Sequence, residues 1–152
     1  MSPTFFTRLT ETVPWRLTSL EFEIESASEL LRLCMLAFTK SLVVQAPGFG
    51  KAMLWLAARI KLVLCRQRDA RMADVFLWAC FVSAISVFED FDRDWIREKM
   101  TAQVKILGAK NWEETRKLLK RFLWADLVFD GPACSLYNNW IGEASMSRSQ
   151  TP

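Results

Sequence analysis

Apolar residues recur along this chain at spacings of three and four, and that period predicts helices almost throughout. Leu30, Leu31, Cys34, Met35, Phe38 and Leu42 mark a helix over 27–45. Ser26 with Glu29 supplies a capping box at its start, and Pro47 with Gly48 stops it. A second helix spans 50–65, with apolar surface from Trp55, Ile60 and residues 62–64, and polar surface from Lys51, Arg59 and Lys61. A third, over 72–88, is apolar almost all round, which places it at the centre of a bundle. Two more follow at 92–107 and 112–127. Asp92 caps the first of these and Gly108 ends it; Asn111 caps the second, with Glu114 closing a capping box. Along 112–127, the angular step of a helix puts Trp112, Leu119 and Leu123 on the main buried stripe and Trp124 at its edge. Asp130, Gly131 and Pro132 read as a turn, with Pro132 opening a last short helix to Trp140. Near the start, Pro14 suits the first position of a short helix through Trp15, Arg16 and Leu17.

The fold class is therefore all-α, a single-domain helical bundle of about six to seven helices. Residues 1–13 are expected to form a poorly ordered lead-in, 14–142 the helical domain, and 143–152 a disordered tail. Composition agrees. Of 152 residues 51% are apolar, and only 5 Gly and 5 Pro interrupt them. A chain of this length buries roughly 68–70% of its unfolded surface and needs no staples. The longest uncharged run, at 75–88, is too short to span a bilayer and reads as a buried core helix. No transmembrane segment and no signal peptide are expected.

Charge and chemistry-bearing residues narrow the function by exclusion. The net charge is +3, without the concentrated basic face of a nucleic-acid binder. The basic residues at 66–71, and Arg116, Lys117, Lys120 and Arg121, read as a solvated helix end and a solvated helix face. Histidine is absent, which removes the commonest general base and metal ligand. Cys34, Cys65, Cys80 and Cys134 lie too far apart for a zinc knuckle. The first three sit in apolar helical runs, where cysteine packs as a small hydrophobe, and we expect a reducing, intracellular compartment without disulfides. Gly48, Phe49, Gly50 and Lys51 resemble a phosphate loop only superficially, because Gln45 and Ala52 stand where Gly and Ser or Thr are required. Glu89, Asp90, Asp92 and Asp94 lack the spacing of a calcium loop and read as helix-start acids. Seven tryptophans read mainly as core. Catalytic, cofactor-binding and metal-binding residues, and a cofactor, are thus expected to be none, and the chain is read as not an enzyme.

Four segments in order carry a resemblance to a known family. They are V-P-W-R-L-T-S-L at 13–20, E-L-L-R-L-C-M-L-A-F at 29–38, the apolar helix at 75–88, and the tract from 91 to 126. That last tract reads F-D-R-D-W-I-R-E-K-M, then L-G-A-K-N-W-E-E-T-R-K-L-L-K-R-F-L-W-A-D. It resembles the C-terminal part of the regulatory domain of fungal binuclear zinc-cluster transcription factors. There an acidic D-R-x-W segment precedes a W-E-E-x-(K/R)-x-L-L-x-x-F-L-W-x-D helix. The similarity covers residues 13–140. In that family an N-terminal zinc cluster binds DNA and a helical middle region regulates it. The six-cysteine cluster and its basic linker are absent here, so zinc and sequence-specific DNA binding do not carry over, and no site residue transfers. The resemblance implies a non-enzymatic, nuclear, helical regulatory or interaction domain, open to a protein partner, to self-association or to a small-molecule effector. The residues leave two alternatives: a stand-alone small-molecule-binding helical domain, and a peripheral membrane-surface protein anchored by Phe5, Phe6 and Trp15.

Overall fold

The computed structural model describes residues 12–23, 26–43, 54–66 and 69–142. The expected lead-in, except for its last two residues, the tail at 143–152 and the tract around Gly48 lie outside the described residues. The all-α expectation holds: seven α-helices and no strand occur among the described residues. No described helix is long and apolar enough to cross a membrane. The chain divides into two compact units, Met1–Arg68 and Asp69–Pro152.

In the first unit, helix α2 (Ala27–Val43) packs against both α1 (Val13–Ser19) and α3 (Leu54–Arg66). Pro14 occupies the first turn of α1, where its missing N–H costs nothing. Leu30, Leu33, Cys34 and Ala37 of α2 and Leu56, Ile60 and Val63 of α3 are fully enclosed. Leu31 and Met35, expected on that stripe, are half-buried. The capping box at Ser26 forms only by half. The Ser26 hydroxyl accepts from the Glu29 N–H at 3.1 Å, but the Glu29 carboxylate turns inward. It accepts from Arg32 at 2.7 Å through each oxygen and from Arg59 of α3 at 3.3 Å. The Ser26 N–H is satisfied by the Glu23 carbonyl instead. Arg32 also donates to the Leu17 carbonyl in α1, so one buried carboxylate links all three helices.

In the second unit α4 (Ala73–Ser86) is the centre. Every residue from Val75 to Ser83 is buried. It packs against α5 (Arg93–Leu107), α6 (Trp112–Leu119) and α7 (Asp126–Tyr137). Gly108 adopts φ 69°, the left-handed conformation that closes α5 as predicted. Asp92 stands at the N-cap position of α5, but its side chain makes no capping bond; it is buried after a short 3₁₀ turn, Asp90–Asp92. Asn111 caps α6 by accepting from the Glu114 N–H at 2.9 Å. The return bond from Glu114 goes to the Lys110 N–H rather than to Asn111.

The reading of 112–127 as one helix is corrected. Helix α6 ends at Leu119, and the chain tightens through i→i−3 bonds from Arg121 and Phe122 before α7 begins at Asp126. Tertiary partners take over the local ladder. The Trp78 indole N–H donates to the Leu123 carbonyl at 2.9 Å, and Phe122 lies against the Trp78 ring. The helical phase therefore fails past Leu119: Leu119 is buried, Trp112 is half-buried, and Leu123 is 51% exposed. The turn expected at Asp130, Gly131 and Pro132 is likewise corrected, because all three lie inside α7. Pro132 removes one rung of the helix. Phe129 and Ala133, both fully enclosed, hold the segment helical across that gap.

Candidate functional site

Helix α3 is apolar on two sides. Its buried side is Leu56, Ala57, Ile60, Val63 and Leu64. Leu54, Trp55, Ala58, Leu62 and Cys65 fall within an arc of about 100° on the opposite side. All five are exposed, Leu54 by 58% and Trp55 by 55%. Contiguous exposed apolar surface is a feature of interaction sites, whereas singly scattered apolar residues are ordinary. Lys61 and Arg66 flank it, Arg59 stands at one edge, and the helix contains no acidic residue. Cys65, expected to pack as a small hydrophobe, is exposed within the stripe. The signal for this surface was present in the sequence as an apolar pattern wider than one face.

Further exposed apolar groups lie on α1 and just beyond its end. Trp15 is 71% exposed, Leu20 47% and Phe22 42%. Leu20 and Phe22 alternate with the exposed Glu21 and Glu23 in a stretch outside any helix.

The second unit is different in kind. Most of its basic tract at 116–121 is paired within the unit. Arg116 donates to Asp130 at 2.6 Å and to Asp126 at 3.4 Å, and Lys120 donates to Asp126 at 2.6 Å. Arg121 stands 3.5 Å from Asp74 on α4. Asp130 also accepts the Trp124 indole N–H at 2.7 Å, and the Trp124 ring packs on Phe129. The Arg116 hydrogen bond holds the Asp130 carboxyl below its ordinary value, and the Trp124 bond adds to this. The acids come from α7 and α4, beyond any spacing that local sequence patterns can register. Arg116, Lys120 and Arg121 are thus held against acids of α7 and α4.

The other residues singled out in the sequence are dispersed. Asp90 pairs with Arg93 at 2.8 Å, while Asp92 is buried. No group of three or more potential ligands that could hold a metal ion occurs among the described residues. Of the tryptophans only Trp78 is fully enclosed; Trp95, Trp112, Trp124 and Trp140 are half-buried, and Trp15 and Trp55 are exposed. Cys34 and Cys80 are buried and Cys134 is half-buried. Trp140 lines two clefts of about 390 and 120 Å³, whose walls include Asp94, Arg97, Glu98 and Lys105 in one and Glu89, Asp90 and Arg93 in the other. Ala102 shares the walls of the larger cleft, and Ala84, Phe88, Ile96 and Leu136 those of the smaller. No protein-family model, curated protein or solved structure matches this chain.

Proposed function

We propose that the chain is a non-enzymatic helical interaction domain, of the regulatory kind that the fungal zinc-cluster factors carry, acting in the nucleus. The observation that carries the interaction reading is the exposed apolar stripe of α3, opposite a fully used core face. The ordered motifs at 13–20, 29–38, 75–88 and 91–126 carry the regulatory one. The internally paired charges of α6 are consistent with a protein that meets other proteins rather than phosphates.

The test tethers the full chain to an unrelated DNA-binding module and reads a reporter. Tethered wild-type chain should change reporter output, and Leu62→Glu, which places a charge in the stripe, should abolish that change while leaving helicity intact. A folded wild-type fusion without effect on the reporter refutes the reading. In gel-shift assays the untethered chain should bind duplex DNA only non-specifically, at affinities that fall steeply with salt.

A further inference from the structure

We infer that the smaller of the two Trp140 clefts is a binding recess for an alkyl cation, the ammonium or guanidinium end of a lysine- or arginine-like chain, with the Glu89 carboxylate as its counter-charge. The recess lies wholly in the second unit and is independent of the α3 stripe and of the function proposed above. Three stretches of chain build it. At the end of α4 the N–H groups of Val87 and Phe88 both donate to the Ser83 carbonyl at 3.0 Å, and Ala84 and Phe88 line the recess there. Ile96, in the first turn of α5, adds buried apolar surface. Leu136 at the end of α7 and Trp140 in the π-helical turn Asn138–Gly142 supply the rest of the apolar lining. The Phe88 ring is held at right angles to Trp95, with ring centres 5.8 Å apart, so that wall is in place before a ligand enters.

Size and charge select the ligand. A volume of about 120 Å³ admits one unbranched side chain, whereas sites for drug-sized molecules run to roughly 300–1,000 Å³. The charged groups in the walls are Glu89, Asp90 and Arg93, and they are not equivalent. Arg93 is bound to Asp90 at 2.8 Å, so these two offset each other. Glu89 is exposed, and its carboxylate has no hydrogen bond or ion pair among the described residues. Asp92 is buried with partners of its own, and Asp94 lines the adjoining cleft. Asp94 also offsets the partial positive charge at the start of α5. The recess therefore keeps one unmatched negative charge beside apolar and aromatic surface. An anion would meet that charge with no free cation to receive it, and a neutral chain would leave it unmatched. An alkyl cation satisfies both parts: its methylenes cover the apolar lining while its charged end meets Glu89 beside the aromatic rings. Such a chain comes either from the side chain of a partner protein or from a free small amine.

The test uses the full chain with n-butylguanidinium as the probe. The Trp140 indole N–H is read in nitrogen-correlated NMR spectra and assigned by its loss in Trp140→Phe. The cation should shift this signal saturably at roughly millimolar concentration, as suits a few ligand atoms in a partly open site. n-Pentanol, a comparable chain without the charge, should bind at least about tenfold more weakly, and pentanoate should not bind. Two single variants should move affinity in opposite directions. Glu89→Gln removes the unmatched carboxylate and should weaken the cation by about fivefold or more. Arg93→Gln removes the only cation in the walls, releases Asp90, and should tighten binding by about twofold or more. Circular dichroism establishes that each variant is folded, and a general loosening of the fold would not move the two in opposite directions.

A blocked Gly-Arg-Gly peptide separates the sources. Binding at least as tight as that of the free guanidinium assigns the recess to a partner protein's side chain. Exclusion of the peptide while the free cation binds assigns it to a small amine. Absence of a saturable shift overturns the inference, as does n-pentanol binding as well as the cation, or a Glu89→Gln variant that binds the cation unchanged.

Discussion

Helices α3 and α4 begin from similar sequences and meet different ends. Both are apolar around most of their circumference, and neither shows a narrow stripe. In α4 the surrounding helices of the second unit enclose every side, so residues from Val75 to Ser83 vanish from solvent and Trp78 finds a hydrogen-bond acceptor in the Leu123 carbonyl. In α3 only one side is used, and Trp55, Leu54 and Leu62 remain in water. An apolar run therefore records that a helix has surface to cover, not what covers it. The difference becomes visible only when partners from elsewhere in the chain are placed.

The sharpest break of that comparison is a pair of tryptophan truncations. Trp78→Ala should remove a fully enclosed indole and its hydrogen bond, at a cost of about 3–5 kcal/mol. Trp55→Ala should change stability by less than about 0.5 kcal/mol, because over half of that side chain is already in solvent. Urea melts of the two variants measure the gap. Comparable losses would show that α3 is as enclosed as α4, and the surface argument would fall with it.

The first unit has its own interior, and Glu29 tests it. Its side chain is 2% exposed and bound by Arg32, with Arg59 completing the contact from α3. Glu29→Gln should cost about 2–3 kcal/mol, below the usual range for a broken buried pair because Arg59 is 42% exposed. The Arg32 hydrogen bond lowers the Glu29 carboxyl below its ordinary value of 4.5, against the opposing effect of burial. A lowered folded value means that the stabilisation is complete above the unfolded value and is lost as pH falls through the folded one. Acid titration should accordingly loosen the wild-type first unit below pH 4.5. Glu29→Gln should show a flatter profile there, and an identical profile would remove Glu29 from the account.

Thiol labelling sharpens the same contrast at lower energy. Cys65 is exposed on the α3 stripe, whereas Cys80 is 1% exposed within α4. Under native conditions Cys80 should react at least about a hundredfold more slowly than Cys65, since it must await an opening of the core. Mass spectrometry of the labelled peptides reads both sites in one sample. Equal rates would contradict the enclosed placement of α4.

Much of the architecture was legible locally. The left-handed Gly108, the Asn111 cap, Pro14 in the first turn and the all-round burial of α4 each follow from residues within a turn of the event. What was not legible depended on distant partners. Asn111 through Leu119 obeys its own spacing, yet beyond it the chain leaves the helix and the Leu123 carbonyl meets the indole of Trp78, over forty positions upstream. Pro132 reads as a helix start by every local rule, but Phe129 and Ala133 are anchored in the core on either side of it. Glu29 completes a capping motif on paper and instead faces two arginines. The candidate surface was the least legible, since Leu54, Trp55 and Leu62 carry no mark that separates them from core residues.

The smallest effect concerns the C-terminal corner, where the charged network meets the break in the helix. Trp124 is half-buried, stacks on Phe129 at 5.3 Å between ring centres and donates to Asp130 at 2.7 Å. Its truncation to Ala gives up part of an indole's burial and one hydrogen bond to a carboxylate. That carboxylate keeps Arg116, so it is not left stranded. The expected loss is about 2 kcal/mol, less than a fully enclosed tryptophan would cost. Lys117 lies on the exposed side of α6, one residue along from Arg116. Lys117→Ala should change stability by less than about 0.5 kcal/mol, since alanine also favours the helix. Urea melts should therefore separate the two variants by more than about 1 kcal/mol. Equal losses would mean that Trp124 contributes no more than a solvated side chain. Contacts such as Arg116 with Asp130 and Trp112 with Tyr137 would then hold α7 against α6 without it.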